Sequence, residues 1–476
     1  MSEAQPNPAV QVRKRRGAEL VLIVVALAVA VGAYAIVGIT VTGKLSQQVL
    51  SYGAGLAILV GIAHVIVRIM TPYADPLLLP CVVFLNGLGL ALIHRLDLTK
   101  IENARANGES LPRADAPLQL TWTAVGVAAF ILVLLVIRDH RRLQRATYTA
   151  LFAGVGLLLL PLVPGLGVRF QGAQIWIRFA GLSFQPGEIA KVCLIVFFAG
   201  YLVVKKDALA LAGRRFIGID LPRGRDLGPI LSAWLISLAI LVFQRDLGTA
   251  LLFFGAFVVL LYVSTERPGW LFVGGGLFAG GAWFAYIAAT SLHIPQFSHI
   301  ANRINAWLHP FDPQYREGAY QIIQSLYGFA YGGLLGRGLG EGHPNLVPLA
   351  KSDFIIAAIG EELGLTGLMA ILVLYGIIVE RGLRTALVCR DHFGKLLATG
   401  VAAVFAIQVF VVVGGVTKLI PLTGLTTPFL SYGGSSLVAN WALVALMLRI
   451  SDQARRPATL PAAPTEDALT QVVVRR

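Results

Sequence analysis

Residues 19–44 read ELVLIVVALAVAVGAYAIVGITVTGK, with no charged side chain between Glu19 and Lys44. That run exceeds the ~20 apolar residues with which a helix crosses a bilayer, and it is far longer than the roughly 9–11 of a barrel strand. Four basic residues precede it, Arg13-Lys14-Arg15-Arg16, as in a signal peptide. The run is long, however, and ends in VGITVTGK without a small-residue cleavage site, so it reads as an uncleaved first span. Similar runs recur at about 47–70, 76–95, 119–138, 147–165, 187–205, 228–244, 247–263, 270–290, 353–380, 395–419 and 435–450. The pair either side of Gln244-Arg245-Asp246 is split, because about 36 residues is too long for one crossing. The chain is 56% hydrophobic and 13% charged, with a mean hydropathy of +0.74. A soluble chain carries about a quarter charged residues. Backbone in lipid must satisfy its own hydrogen bonds. An all-α polytopic membrane protein of about 12 transmembrane helices is therefore expected.

The net charge of +14 is explained by orientation. With both termini cytoplasmic, most of the 39 lysines and arginines fall on the cytoplasmic side: the short internal RDHRRLQR carries four, the short external FQRDLGTA one. This satisfies the positive-inside rule, and no nucleic-acid partner is needed. The resulting organisation is a cytoplasmic tail at 1–18, a transmembrane domain at 19–450 and a cytoplasmic tail at 451–476. The last is Pro/Ala-rich and expected to be disordered. The long segment 291–352 falls outside the membrane; a connection of that length predicts short helices of its own. Of the three cysteines, Cys81 and Cys193 lie in apolar runs and Cys389 in a basic loop. Their spacing gives neither a disulfide framework nor a metal motif.

Ionisable residues inside spans are costly and are functional candidates by default. Glu188 and Lys191 open the sixth span in FQPGEIAKV; Asp246 ends the seventh; Asp353, Glu361 and Glu362 lie early in the tenth; Lys418 ends the eleventh. All map to the outer half of the membrane, where with Asp312 of the external segment they could line one cavity. Plainer readings stand beside these. Glu188 and Lys191 are i, i+3 and pair on any helix, Lys418 can snorkel outward, and Asp312 before Pro313 is a turn starter. GGLLGRGLGEG lacks the G-K-[ST] of a phosphate loop, and no H-E-x-x-H metal motif is present.

Five stretches in order resemble one family. They are GAQIWIRFAGLSFQPGEIAK, QRDLGTA, HPFDPQYREGAYQIIQSLYGFAYGGLLGRGLGEG, KSDFIIAAIGEELGLTG and PLTGLTTPFLSYGGSSLVANW. The pattern is similar to the SEDS proteins (shape, elongation, division and sporulation), the RodA/FtsW peptidoglycan polymerases, and more to the RodA branch because no long extra cytoplasmic domain is present. The resemblance implies a ten-helix core plus two extra helices in the N-terminal half. It also implies a glycosyltransferase of the bacterial plasma membrane that polymerises lipid II with inversion, with Asp312 as general base. An anionic leaving group requires cations where charge develops; Arg178, Lys191, Arg303 and Lys418 are the candidates. Gln321, Gln324, Ser431 and Ser435 are candidate substrate contacts, and Glu188, Asp246, Asp353 and Glu361 supporting groups. Glu188 and Asp246 could instead help bind a divalent cation, Mg2+ or Mn2+. The implied partners are lipid II, the nascent glycan, a class B penicillin-binding protein and other cell-wall machinery. This chain departs from the pattern at Ile175, where Arg is usual before the Trp, at Arg245, where Pro is usual, and at Lys351-Ser352, where His-Thr is common.

Two other classes compete with the enzyme reading. A transporter that flips lipid II would place charges near the midplane of internally repeated halves, and few are found. A scaffold that recruits the transpeptidase would have no use for Asp312.

Overall fold

The computed structural model describes residues 16–457, apart from 47, 171–172, 180–181, 211–213, 217–218, 222–223, 293 and 295–296. Its helices are α1 (Arg16–Thr42), α2 (Gln48–Met70), α3 (Leu78–Ala106), α4 (Ala116–Val136), α5 (Arg142–Arg145), α6 (Thr147–Leu159), α7 (Pro186–Ala210), α8 (Gly224–Gln244), α9 (Leu247–Thr265) and α10 (Gly269–Thr290). After these come α11 (Ser298–Leu308), α12 (Arg316–Gly332), α13 (Ile355–Glu362), α14 (Gly364–Val388), α15 (His392–Val416) and α16 (Gly434–Arg455). Among the described residues, ten helices are long and apolar enough to cross a membrane: α1–α4, α7, α9, α10 and α14–α16. The other two expected runs are shorter apolar stretches, Thr147–Leu162 and Leu231–Gln244. The run expected at 147–165 is cut short because Pro161 and Pro164 cannot continue a helix; α6 gives way to a 3₁₀ turn at Leu160–Leu162.

The buried centre is α3, α15 and α16, with α1, α2 and α10 at the periphery. Helix α1 buries Ala26, Ala30, Ala33 and Val37, one stripe at helical spacing. On α3, Gly87 leaves room for Ala30, whose methyl a Cβ would strike. Tyr34 stacks between Tyr52 of α2 and His94 of α3, with centroids 4.1 and 4.0 Å away, and the Tyr52 hydroxyl donates to Gly87 O at 3.0 Å. The first two helices are thereby fastened to the third.

Several sequence boundaries are corrected. Helix α3 runs past 95 to Ala106 because its charges are paired. Arg95 meets Glu362 at 2.8 Å and donates to Gly342 O at 2.7 Å, and Asp97 meets Lys351. Lys351 also meets Asp115 at 2.8 Å. The span expected at 353–380 is two helices, α13 and α14, broken where Gly364 takes φ +68°. The loop serves that break: Arg337 N and Gly338 N donate to Glu361 O and Glu362 O at 3.1 and 2.9 Å, satisfying carbonyls a helix end leaves open. Helix α16 extends to Arg455, into the stretch expected to be tail, because Ser451 and Asp452 are buried and accept from Asp75 N and Tyr73 N. The expected N-terminal tail up to residue 15 and the C-terminal tail beyond 457 lie outside the described residues. Beside the helices are two small antiparallel sheets, β1 (Gly167–Phe170), β2 (Ala173–Phe179) and β3 (Leu182–Phe184), and β4 (Arg214–Phe216) with β5 (Ile219–Leu221). In β2 the β-branched and aromatic residues of QIWIRF favour a strand.

Candidate active site

Pro186 opens α7, a position where its missing N–H is no loss. It sets Glu188 and Lys191 one turn apart. Gln185 N donates to Ser435 Oγ at 2.9 Å, tying this helix start to that of α16. The Lys191 ammonium is almost wholly buried, a costly place for a charge. It is held by Glu188 Oε2 at 2.7 Å, Gln408 Oε1 at 3.2 Å and Asn440 Oδ1 at 3.5 Å. Gln408 and Asn440 are held in turn, by Thr426 O at 2.9 Å and Ser436 Oγ at 3.3 Å. Ser431 Oγ accepts from Thr427 N and donates to Ser352 O, shaping the TTPFLSYGGSS segment between α15 and α16.

A second cation, half-buried, is linked to the first through Asp246 and Glu188. Arg303, on α11 of the 291–352 segment, donates to Leu422 O and Thr423 O at 3.2 and 2.9 Å. The carboxylates of Asp246 and Asp353 both act on it. Asp246 caps α9 through Thr249 N at 3.0 Å, and Arg303 and Glu188 both bear on it. Burial raises its pKa, and Arg303 opposes that. Burial likewise pushes Asp353 up to about 6. Gly424, at φ +79°, lies between Asp353 and Arg303, where a Cβ would sit 3.6 Å from Asp353 Oδ2 and 3.8 Å from Arg303 Nη2. Arg245 has φ +62° in the break between α8 and α9. Proline, usual here in the pattern described above, is locked near −65°, so the arginine comes with a different backbone.

The expected residues divide into groups. Glu188, Lys191, Asp246, Arg303 and Asp353 gather in one interior cluster, with Ser435 and Ser431 in its walls. Asp312 is at the surface, in the turn before α12; Oδ1 accepts from Gln314 N at 3.1 Å, and Oδ2 has no partner among the described residues. It is the turn starter its Asp-Pro setting suggested, and it also presents a free carboxylate oxygen. Gln321 and Gln324 follow on α12, half-buried. Lys418 stands at φ +63° after α15, and its carbonyl accepts from the Trp307 indole at 3.0 Å; its ammonium has no partner among the described residues. Arg178 is exposed on β2 opposite Ser183, on the hairpin rather than in the cluster. Glu361 accepts from His343 N at 2.5 Å and Glu362 pairs with Arg95, so both serve the loop. Gln408 and Asn440 were missed; a lone amide inside an apolar run is the signal that would have found them. A Mg2+ or Mn2+ needs several oxygens free to turn toward it. Glu188 gives one oxygen, Oε2, to Lys191 and Asp246 one, Oδ1, to Thr249 N.

The order of the five stretches and their convergence on this cluster invite comparison with known proteins. Residues 76–456 match the profile of the FtsW/RodA/SpoVE cell cycle proteins. The chain belongs to that family. The matched segment holds α3, α4, α6–α10 and α14–α16, so the helices outside it are α1 and α2. Relatives include the peptidoglycan glycosyltransferase RodA of Mycobacterium tuberculosis, 48% identical over 466 residues, 97% of this chain and 96% of that one. The probable peptidoglycan glycosyltransferase FtsW of Geobacter metallireducens is 36% identical over 332 residues, 69% of this chain and 83% of its own. A similar solved structure is a chain from a peptidoglycan synthase complex that coordinates polymerization and crosslinking. It has a TM-score of 0.60 and 26% identity, covering 81% of this chain and 99% of that one.

Proposed function

We infer that this chain is a peptidoglycan glycosyltransferase of the RodA type, a multi-pass protein of the bacterial plasma membrane that polymerises lipid II. The observation carrying the mechanism is the pair of cations, buried Lys191 and half-buried Arg303, with Arg303 on the same 291–352 segment as Asp312. The 4-hydroxyl of one molecule's GlcNAc attacks C1 of the MurNAc on the growing chain. Its proton passes to the Asp312 carboxylate. The bond from C1 to the pyrophosphate oxygen breaks, configuration inverts, and the lipid pyrophosphate leaves. Because the leaving group is already activated, one carboxylate suffices where an ordinary glycoside needs two. Lys191, Arg303 and Lys418 stabilise the charge that develops on the pyrophosphate. Glu188, Asp246 and Asp353 keep these two cations charged and in place.

Both termini face the cytoplasm in this reading, by the distribution of basic residues. A class B penicillin-binding protein is the proposed partner, supported by the likeness to a synthase complex. The greater identity to RodA than to FtsW favours elongation over division. The experiment is polymerisation of labelled lipid II by the purified protein in detergent, with its partner where required. Asp312→Ala that folds but makes no polymer supports the assignment. Polymer made equally well by that variant removes Asp312 from the mechanism, and lipid movement across liposomes without polymer would favour a transporter.

A further inference from the structure

At the end of the bundle away from the external loop, three side chains of different chemistry converge. His140 comes from the connection between α4 and α5, and Cys389 and Asp391 from the one between α14 and α15. One ligand atom from each lies within 4.8 Å of the others. His140 Nε2 is 3.0 and 3.2 Å from the two Asp391 oxygens, and Cys389 Sγ is 3.3 Å from Oδ2. Tetrahedral zinc with bonds of about 2.0–2.3 Å spaces its ligands by about 3.3–3.6 Å. These edges are close to that spacing.

The hydrogen bonds around His140 narrow the choice. Gln453 Nε2 donates to Arg138 O at 2.9 Å, which turns Gln453 Oε1 toward His140 Nδ1. Nδ1 must therefore carry the ring hydrogen. Nε2, on a side chain only 1% exposed, then faces a carboxylate with its lone pair; the exposed Arg141 guanidinium, 3.5 Å from Asp391 Oδ2, offsets part of that carboxylate's charge, but a positive centre still has to lie between the two facing lone pairs. That centre is a second proton or a metal ion. A proton uses only Asp391 and leaves the thiol a weak hydrogen bond. A metal uses all three, and imidazole, thiolate and carboxylate are the donors zinc takes. One thiolate and one carboxylate also neutralise a dication. The outer contacts fit: Gln453 orients His140, and Gly394 N donates to Asp391 Oδ1 at 2.7 Å, as groups behind metal ligands do. Gly394 leaves the space open, since a Cβ there would strike His140 Nε2, Cys389 Sγ and Asp391 Oδ2 together.

We propose that His140, Cys389 and Asp391 form a zinc site with water in the fourth position. It ties the two connections together and, through Gln453, to the end of α16. The test is metal analysis of the full chain, purified without a polyhistidine tag or chelator. About one zinc per chain is expected. Cobalt exchanged into the protein should give near-ultraviolet thiolate-to-metal charge transfer, lost in Cys389→Ser and in Gly394→Ala, which keeps every ligand but fills the space. Zinc should also slow alkylation of Cys389, mapped by mass spectrometry apart from Cys81 and Cys193. If the variants do not fold, the wild-type cobalt spectrum and alkylation decide. Protein that holds no zinc when supplied with it, gives no thiolate band with cobalt and alkylates Cys389 at an unchanged rate overturns the site in favour of a doubly protonated His140. Metal retained by Cys389→Ser overturns it as well.

Discussion

Lys191→Met, alone and combined with Glu188→Leu, separates structure from chemistry at the buried pair. The two side chains are 2% and 7% exposed and 2.7 Å apart. Removing only the lysine leaves the Glu188 carboxylate buried without its cation, and breaking such a pair costs about 3–5 kcal/mol. Replacing both partners with apolar groups of similar volume is often neutral or stabilising. The single variant should therefore unfold at a lower temperature in detergent, and the double variant should recover close to the wild-type value. Polymerisation should not follow. The three N–H groups of Lys191 are given to Glu188, Gln408 and Asn440, so in the proposed role its charge acts through space; preorganised electrostatics of this kind are worth about 10²–10³ in rate, and both variants should lose about a hundredfold in lipid II polymerisation per folded molecule. A double variant that regains activity along with stability would refute the proposed catalytic role of Lys191. A single variant as stable as wild type would refute the energetic reasoning about the pair.

Three further outcomes are expected. Asp312→Asn, at an exposed turn, should leave the unfolding temperature unchanged while polymer formation stops; a large loss of stability would show that the turn, not the base, was removed. The Asp353 carboxyl, raised by burial to about 6, takes up a proton as pH falls through that value, and Arg303 loses one of its two acidic neighbours. Its contribution to stability has the opposite sign: a raised carboxyl pKa favours the folded state as pH falls from about 6 toward the unfolded value near 4. Activity should decline below pH 6 without unfolding, and Asp353→Asn should flatten that limb; a limb unchanged by the substitution counts against it. Gly364→Ala should destabilise the protein by more than the roughly 1–3 kcal/mol of left-handed strain, because a Cβ there also meets Leu334 O at 2.6 Å; thermal unfolding checks this, and a neutral variant would mean the break is not held as described.

How much of this was legible in the sequence depended on distance along the chain. Runs such as 19–44 declare their helices because a bilayer tolerates nothing else there. Glu188 and Lys191 are one turn apart, so their pairing needs only the helix. Asp246, Arg303 and Asp353 stand on three separate elements, and only the fold brings them together. The span read from the sequence stops at 95, short of Asp97; both Arg95 and Asp97 lie inside a helix because Glu362 and Lys351 come back to meet them. The break at Gly364 was hidden because IIAAIGEELGLTG keeps a helical rhythm, and the loop carbonyls and amides that fix it carry no side-chain signature. Cys389 carried no metal spacing because its companion His140 belongs to another connection.

The 291–352 segment is held at more than one place. From Gly333 onward it is welded to the bundle by Arg95, Lys351 and the amides of Arg337 and Gly338. Before that, α11 is gripped through Arg303 and Trp307 by carbonyls between α15 and α16, and α12 by its buried face and by Ser325 Oγ, which donates to Val416 O at 3.1 Å. Asp312 therefore stands on an exposed span of a few residues strung between two anchored helices, as the deck of a short bridge stands between its piers, and the carboxylate meets solvent while the backbone on either side is pinned.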